Sequence, residues 1–207
     1  MNNDVSLLQK LARIYTFNSP LQKGKIRLCD FVLKLSRRLP REITVKTSDG
    51  CKLIIYTSND SYKYVYFVGE YEGAISRILK KVINPGDICL DIGANIGWYT
   101  TLFQKLVGNK GQVHSFEPVP PIFEHLKRNV ELNQPSANVR LNNFALGDAA
   151  KEVDLHIFPN IPNGHASIST FNFKEYEIFP SRMCTLDSYL SENKIGNDGV
   201  KGRIEII

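Results

Sequence analysis

The residues best placed for chemistry lie close together. Asp91, Gly93, Ala94, Asn95 and Gly97 fall in one run, Asp-Ile-Gly-Ala-Asn-Ile-Gly. Glycine takes positive φ without a steric penalty and lets a ligand approach the backbone. Asparagine is the next most tolerant residue for a left-handed position. A second carboxylate, Glu117, follows Gly97 at about the 20-residue spacing of an acid that holds ribose hydroxyls beyond a glycine loop.

Charge narrows what such a loop would hold. A pyrophosphate settles on a helix N-terminus, and the carboxylate of Asp91, just before Gly93, repels it. The same carboxylate suits a ligand with an ammonium and a sulfonium, and S-adenosylmethionine carries both. The plainer readings are a strand-to-helix turn without a ligand, and a surface acid at a strand end for Glu117.

The surrounding pattern supplies elements to position these groups. Asn84-Pro85-Gly86-Asp87 is a turn signal, and residues 88–92 are a short apolar run that fits a strand covered on both faces. Residues 98–107 suit a helix and 112–116 a second strand ending at Glu117. A further helix starts at Pro120 or Pro121, with Ile122, Phe123, Leu126 and Val130 as its buried stripe and His125 toward solvent. Residues 139–141 form a third strand that runs into Asn142 and Asn143. This order predicts an α/β, Rossmann-like sheet with a parallel β-α-β-α-β unit and right-handed crossovers. Asp91, Glu117 and Asn143 then share one crevice at the carboxyl ends of the strands.

The rest of the chain is less informative. Residues 1–39 read as a separate helical segment, with Leu7, Leu8, Leu11, Ile14 and Tyr15 at helical spacing. Through Arg41 it carries nine Lys and Arg against Asp4 and Asp30. A helical cap with a solvated basic face is the plainer reading, and a basic amphipathic helix on an anionic membrane the other. Residues 40–207 form the second expected domain. Its hairpin, 43–47 and 52–57, turns at Asp49-Gly50. Aromatic and β-branched residues make 62–68 a strand, and 73–82 a helix. Downstream, 153–158, 167–170 and 183–185 read as strands, and 186–191 as a helix capped by Thr185. The loop between the first two of these carries His165, a general-base candidate whose alternative is a surface histidine. His114 and His156 sit inside strand patterns and read as structural.

Composition sets bounds. At 207 residues, 43% hydrophobic and 23% charged, the chain suits a soluble globular protein. A net charge of +5 with no basic run interleaved with aromatics argues against nucleic acid. The four cysteines form no CxxC pair, and no cluster has metal-ligand spacing, so no metal is expected. Scattered thiols and an N-terminus without a signal sequence fit a cytoplasmic protein.

Several motifs in order resemble the FkbM-type methyltransferases. They are Gly69-Glu-Tyr-Glu72, the run from Asp91 to Gly97, and Phe116-Glu-Pro118 with Pro120, Phe123, Leu126, Asn129 and Asn133. Asn143-Phe-Ala-Leu-Gly-Asp148 and Thr185-Leu-Asp-Ser-Tyr-Leu190 complete the set. The resemblance covers roughly residues 43 to 207 and implies the class I methyltransferase fold, S-adenosylmethionine as cofactor and hydroxyl oxygens as acceptors. It places Glu72 near the methionine end of the cofactor, where the alternative is an acid favoured by a helix N-terminus. In class I enzymes the Asn143 position reads the adenine amino group, and turn chemistry is the alternative. A sugar or other small hydroxylated metabolite is the expected acceptor. Family members continue past a strand like 203–207 with a Lys-Ile-Asp-x-Glu-Gly-type run. The expectation is therefore a C-terminally truncated domain with an open sheet edge available for oligomer or partner pairing, and poor activity alone. The alternatives are a non-catalytic cofactor-binding module, or an enzyme completed by the N-terminal helices or a second subunit. A nicotinamide dehydrogenase fits poorly, because of Asp91 and because position 95 is not glycine.

Overall fold

The computed structural model describes residues 5–21, 23–36, 38–58, 60–133, 138–158, 166–167, 176–195 and 204–206. The chain divides into two compact units, Met1–Ser76 and Arg77–Ile207. The hairpin and the helix after it fall in the first unit, with the N-terminal helices.

In the first unit, α1 (Leu7–Asn18) starts at a capping box in which Ser6 and Gln9 exchange side-chain and backbone bonds. It packs on α2 (Lys25–Leu35) and α3 (Asp60–Val68). The hydroxyl of Thr16 donates to the Phe67 carbonyl at 2.7 Å. The hairpin joins β1 (Glu42–Lys46) to β2 (Lys52–Tyr56) around the Asp-Gly turn, as its sequence predicts. Residues 62–68 are not a strand. Their aromatic and β-branched composition favours one, but Tyr62, Val65, Tyr66 and Gly69 are buried at helical spacing, and packing overrides propensity.

A further helix, α4 (Gly73–Val82), begins in the first unit and ends in the second. The second unit holds β3 (Ile88–Ile92), α5 (Trp98–Val107), β4 (Gln112–Phe116), α6 (Pro120–Glu131) and β5 (Val139–Asn142) in the predicted order. β3 pairs in parallel with β4, and β4 with β5. The strand β10 (Ile204–Ile206) pairs in parallel on the other side of β3, so the strand order is β10-β3-β4-β5. Strand order therefore reverses at β3, the place where open α/β sheets form a ligand crevice.

Period-two alternation splits the core. Cys89 and Val113 pack with Leu79 of α4, with Ile83 just after it, and with Phe103 and Val107 of α5. Ile88, Leu90 and Phe116 turn to the other face, against Tyr189 and Ile195. Tyr189 belongs to α7 (Leu186–Glu192), whose first turn is capped by Thr185. A second sheet combines β6 (Ala145–Leu146), β7 (Lys151–Ile157), β8 (Ala166–Ser167) and β9 (Glu177–Cys184) in the order β6-β9-β7-β8. β9 is longer than the expected 183–185. Pro180 opposes Asp154 on a stretch that β6 does not reach, a position where the missing N–H removes no ladder bond to β6. His125 is buried at 4% exposure, against its expected solvent-facing place, on the same face of α6 as the fully buried Asn129. All four cysteines are free thiols. No helix among the described residues is long and apolar enough to cross a membrane, and no group of metal-ligating side chains gathers there.

His114 is structural, as its strand position predicts. Its ring lies fully buried between the Tyr189 hydroxyl at 2.7 Å and Gln112 Oε1 at 3.1 Å. Burial, then Arg140, lowers its pKa from 6.5 to about 4. Between those values the unfolded chain binds a proton that the folded one refuses. The contribution of this ring to stability is thus full above about pH 6.5 and falls on acidification toward pH 4, by about 3 kcal/mol. An NMR titration of the four histidines is expected to find this ring neutral down to about pH 4, and a midpoint near 6.5 would contradict the assignment.

Candidate functional site

The site is built at the carboxyl ends of three parallel strands. β3 ends at Asp91 and Ile92, β4 at Phe116 with Glu117 next, and β5 at Asn142 with Asn143 next. The register Ile92↔Phe116↔Asn142 puts these ends level. The loop from Gly93 to Gly97 uses the backbone its composition predicts, with positive φ at Gly93, Asn95 and Gly97. Gly97 is also closely packed, since a Cβ there would stand 2.6 Å from Leu126 Cδ1 and would require that buried side chain to shift. Gly93 differs, because a Cβ there meets nothing within 4 Å. Space lies open in front of it.

The loop's backbone donors are all committed internally. The N–H groups of Gly93 and Ala94 both donate to the Phe116 carbonyl at 2.9 Å. Asn95 N–H donates to Glu117 Oε2 at 2.9 Å, Ile96 N–H to Asn95 Oδ1 at 2.8 Å, and Gly97 N–H to the Ala94 carbonyl at 2.8 Å. A phosphate cradle needs such groups free and convergent, and this loop offers none.

The acidic groups are held instead. Glu117 is 5% exposed. Its Oε1 accepts from Val119 N–H at 3.0 Å, while Oε2 holds Asn95. Burial raises its pKa, opposed by those two bonds, and the charge of Asp91 raises it further. Asp91 is 3% exposed and sits behind the loop. The Thr100 hydroxyl donates to its Oδ2 at 2.6 Å and lies 2.8 Å from Ser115 Oγ. Burial lifts the Asp91 pKa to about 6, with Thr100 acting the other way. At neutral pH the carboxylate is charged.

Asn143 completes the edge. Its Nδ2 donates to the Glu117 carbonyl at 2.8 Å, which fixes the amide and leaves Oδ1 as its acceptor. The structure thus brings together Asp91, Gly93, Ala94, Asn95, Gly97, Glu117 and Asn143. Glu72 belongs to the other unit. It takes φ +48, is exposed, and its carbonyl caps α4 by accepting from Ile75 and Ser76. His165 lies outside the described residues. Sequence reasoning missed Thr100, Ser115 and the bracing by Asn129, whose Nδ2 holds the Ile96 carbonyl at 2.7 Å. A hydroxyl in the first turn of α5 was a usable signal for Thr100, since that turn lies over the end of β3.

The residues present fit a cofactor with a ribose, an adenine and a positive charge better than one with a pyrophosphate. Open space stands at Gly93, a carboxylate and an amide carbonyl flank it, and the N–H groups of residues 93–97 are already taken.

A family model of the methyltransferase FkbM domain matches residues 91–199, just over half of the 207. The methyltransferase sdnD of Sordaria araneosa is 32% identical over 88 residues, 42% of this chain and 34% of that protein. The 31-O-demethyl-FK506 methyltransferase FkbM of Streptomyces tacrolimicus is 33% identical over 78 residues, 38% of this chain and 29% of that one. A protein-L-isoaspartate O-methyltransferase of Pyrococcus horikoshii is 36% identical over 69 residues, 33% and 29% of the two chains. The matched stretch spans about a third of each of these relatives. Among solved structures, M. jannaschii TYW2 in complex with AdoMet aligns at TM-score 0.37 and 21% identity, over 50% of this chain and 44% of that one. A SAM dependent methyltransferase from Aquifex aeolicus aligns at TM-score 0.28 and 26% identity, over 31% and 34%.

Asp91 makes a testable contribution to stability. Its folded pKa of about 6 exceeds the ordinary 3.8, so between those values the folded chain keeps a proton that the unfolded chain has lost. The contribution of Asp91 therefore falls as pH rises from about 3.8 to about 6, opposite in sign to the His114 effect. Asp91→Asn keeps an acceptor for Thr100 and removes the charge. Urea unfolding across this range is expected to show stability climbing more steeply with pH in the variant, because the His114 effect then stands unopposed, and a gain of up to about 3 kcal/mol at neutral pH. Equal slopes in the two proteins would refute the assignment.

Proposed function

This chain belongs to the FkbM methyltransferase family, and from that premise we propose that it binds S-adenosylmethionine at the carboxyl ends of β3 and β4 and directs methyl transfer to a hydroxyl oxygen. The observation that carries this reading is the loop whose backbone donors are all satisfied internally while Gly93 stands open beside Glu117. Each Glu117 oxygen accepts one backbone N–H and has a second lone pair for a ribose hydroxyl. Asn143 Oδ1 would accept from the adenine amino group. Asp91, charged and sunk behind the loop, favours a cationic ligand by its field and does so without leaving Thr100. Glu72 is assigned to the methionine end and His165 to acceptor deprotonation, both on the sequence resemblance.

When bound, the cofactor supplies the electrophilic methyl group. The chain's own part is to orient it, exclude water and take up the acceptor's proton. A sugar or another small hydroxylated metabolite is the acceptor class proposed. Two relatives are O-directed by name, one acting at a 31-O position and the other an O-methyltransferase of L-isoaspartate, which supports oxygen as the acceptor atom. Free thiols suit the cytoplasm, the compartment this reading assigns.

Calorimetric titration with S-adenosylmethionine, its demethylated product and NAD tests the cofactor assignment. Binding of the first two and not the third is expected. Glu117→Gln preserves shape and removes charge, and it should weaken S-adenosylmethionine by roughly tenfold to a hundredfold. Gly93→Val places a branched side chain in the open space and should abolish binding; φ is +79 there, which strains a branched residue, so a circular dichroism melt accompanies the titration and loss of binding counts only in a variant that stays folded. Unchanged affinity in both variants would sink the cofactor assignment. Release of demethylated cofactor with a panel of sugars tests the acceptor class.

A further inference from the structure

The outer face of the first unit is built the wrong way round for a helix that meets only water. α1 packs inward through Gln9, Ala12 and Thr16, which are buried. On the opposite side stand Leu7, Leu11 and Ile14, at i, i+4 and i+7, exposed by 72%, 54% and 60%. Leu8 and Tyr15 widen this stripe. α2 repeats the arrangement. Lys25, Cys29 and Val32 are buried, whereas Phe31 and Leu35, one turn apart, are 59% and 64% exposed. Single exposed apolar side chains need no explanation, but rows of them at helical spacing mark a contact surface.

Charge identifies what the surface meets. Lys10, Lys23, Arg27, Lys34, Arg38 and Arg41 are exposed, and none has an acidic partner among the described residues. Asp30, the acid of this segment that is described, is held by the Tyr64 hydroxyl at 2.6 Å. A second copy of the chain would set these six cations against the same six, which disfavours a self-complementary contact. α1 has 12 residues, about 18 Å of helix against about 30 Å of bilayer hydrocarbon, so it lies on a membrane and does not span one.

We propose that α1 and α2 form a docking surface for an anionic lipid membrane. The stripe of Leu7, Leu11 and Ile14 enters the boundary between headgroups and acyl chains, and the flanking cations meet lipid phosphates. This surface is independent of the cofactor crevice, so it stands or falls apart from the methyltransferase reading.

Sedimentation of the full chain with vesicles tests it. Binding is expected to vesicles with about 30 mol% phosphatidylserine and to be weak with phosphatidylcholine alone. It should weaken as salt rises. Leu11→Glu with Ile14→Glu should abolish binding while the circular dichroism melt stays unchanged, because both side chains already face water. Lys23→Gln, Arg27→Gln and Lys34→Gln, combined, provide a second variant with no change to the stripe, and each lost cation should weaken binding about fivefold. Failure of the unaltered chain to sediment with phosphatidylserine vesicles would overturn the proposal. So would equal binding to both vesicle types, or full binding by the Leu11, Ile14 double variant. A dimer seen by light scattering and dispersed by that variant, in a chain that ignores vesicles, would assign the face to a second copy. Capture of an acidic protein without vesicle binding would assign it to that partner.

Discussion

The crevice depends on where the N–H groups of residues 93–97 go. Three consecutive ones, from Gly93, Ala94 and Asn95, end on Phe116 and Glu117 at the tip of β4. This ties the loop after one strand to the end of the next. It also orients Glu117, whose own carbonyl then holds Asn143 at the tip of β5. Left-handed backbone at Gly93, Asn95 and Gly97 is what allows the chain to turn its donors inward in this way. The same glycine-rich run with its donors turned outward would be an anion site. Here the protein has satisfied them itself, and what remains facing the crevice is acidic.

That choice has an energetic cost. Asp91 and Glu117 are buried close enough for the charge of one to raise the pKa of the other. The Thr100 hydroxyl, the Ser115 hydroxyl beside it and two backbone N–H groups offset part of the desolvation. A crevice of this kind is under electrostatic strain until a positive charge arrives. Stability has been given up at the place where a cationic ligand would restore it, a common trade at functional sites.

Much of this was legible in the residues. A both-faces-buried run, a glycine loop and an acid at the next strand end give β3, α5 and β4 with little ambiguity, because backbone conformation there is dictated locally. The level ends of the three strands followed from their order. Three things were not legible, each for a physical reason. Residues 62–68 have strand composition, and only their packing on α1 makes them helical. Asp91 is written as a loop-facing acid, yet its depth is set by Thr100 and Ser115, whose hydroxyls meet only once β3, β4 and α5 assemble. His125 sits among charged neighbours in sequence, and its burial depends on which face of α6 meets the sheet.

The strand order carries a consequence for how the molecule is made. β3 finds β4 soon after both emerge, since Ile88 pairs with Gln112. Its other neighbour pairs Ile204 with Ile88, a separation of 116 residues (204 less 88). At ribosomal speeds of about 5–20 residues per second, that partner arrives roughly 6 to 23 seconds later. Throughout that interval one edge of β3, the strand that leads into the glycine loop, presents unpaired peptide groups. The strands that frame the crevice are thus close in sequence, while the partner of the other β3 edge is the most distant in sequence of the parallel pairs described.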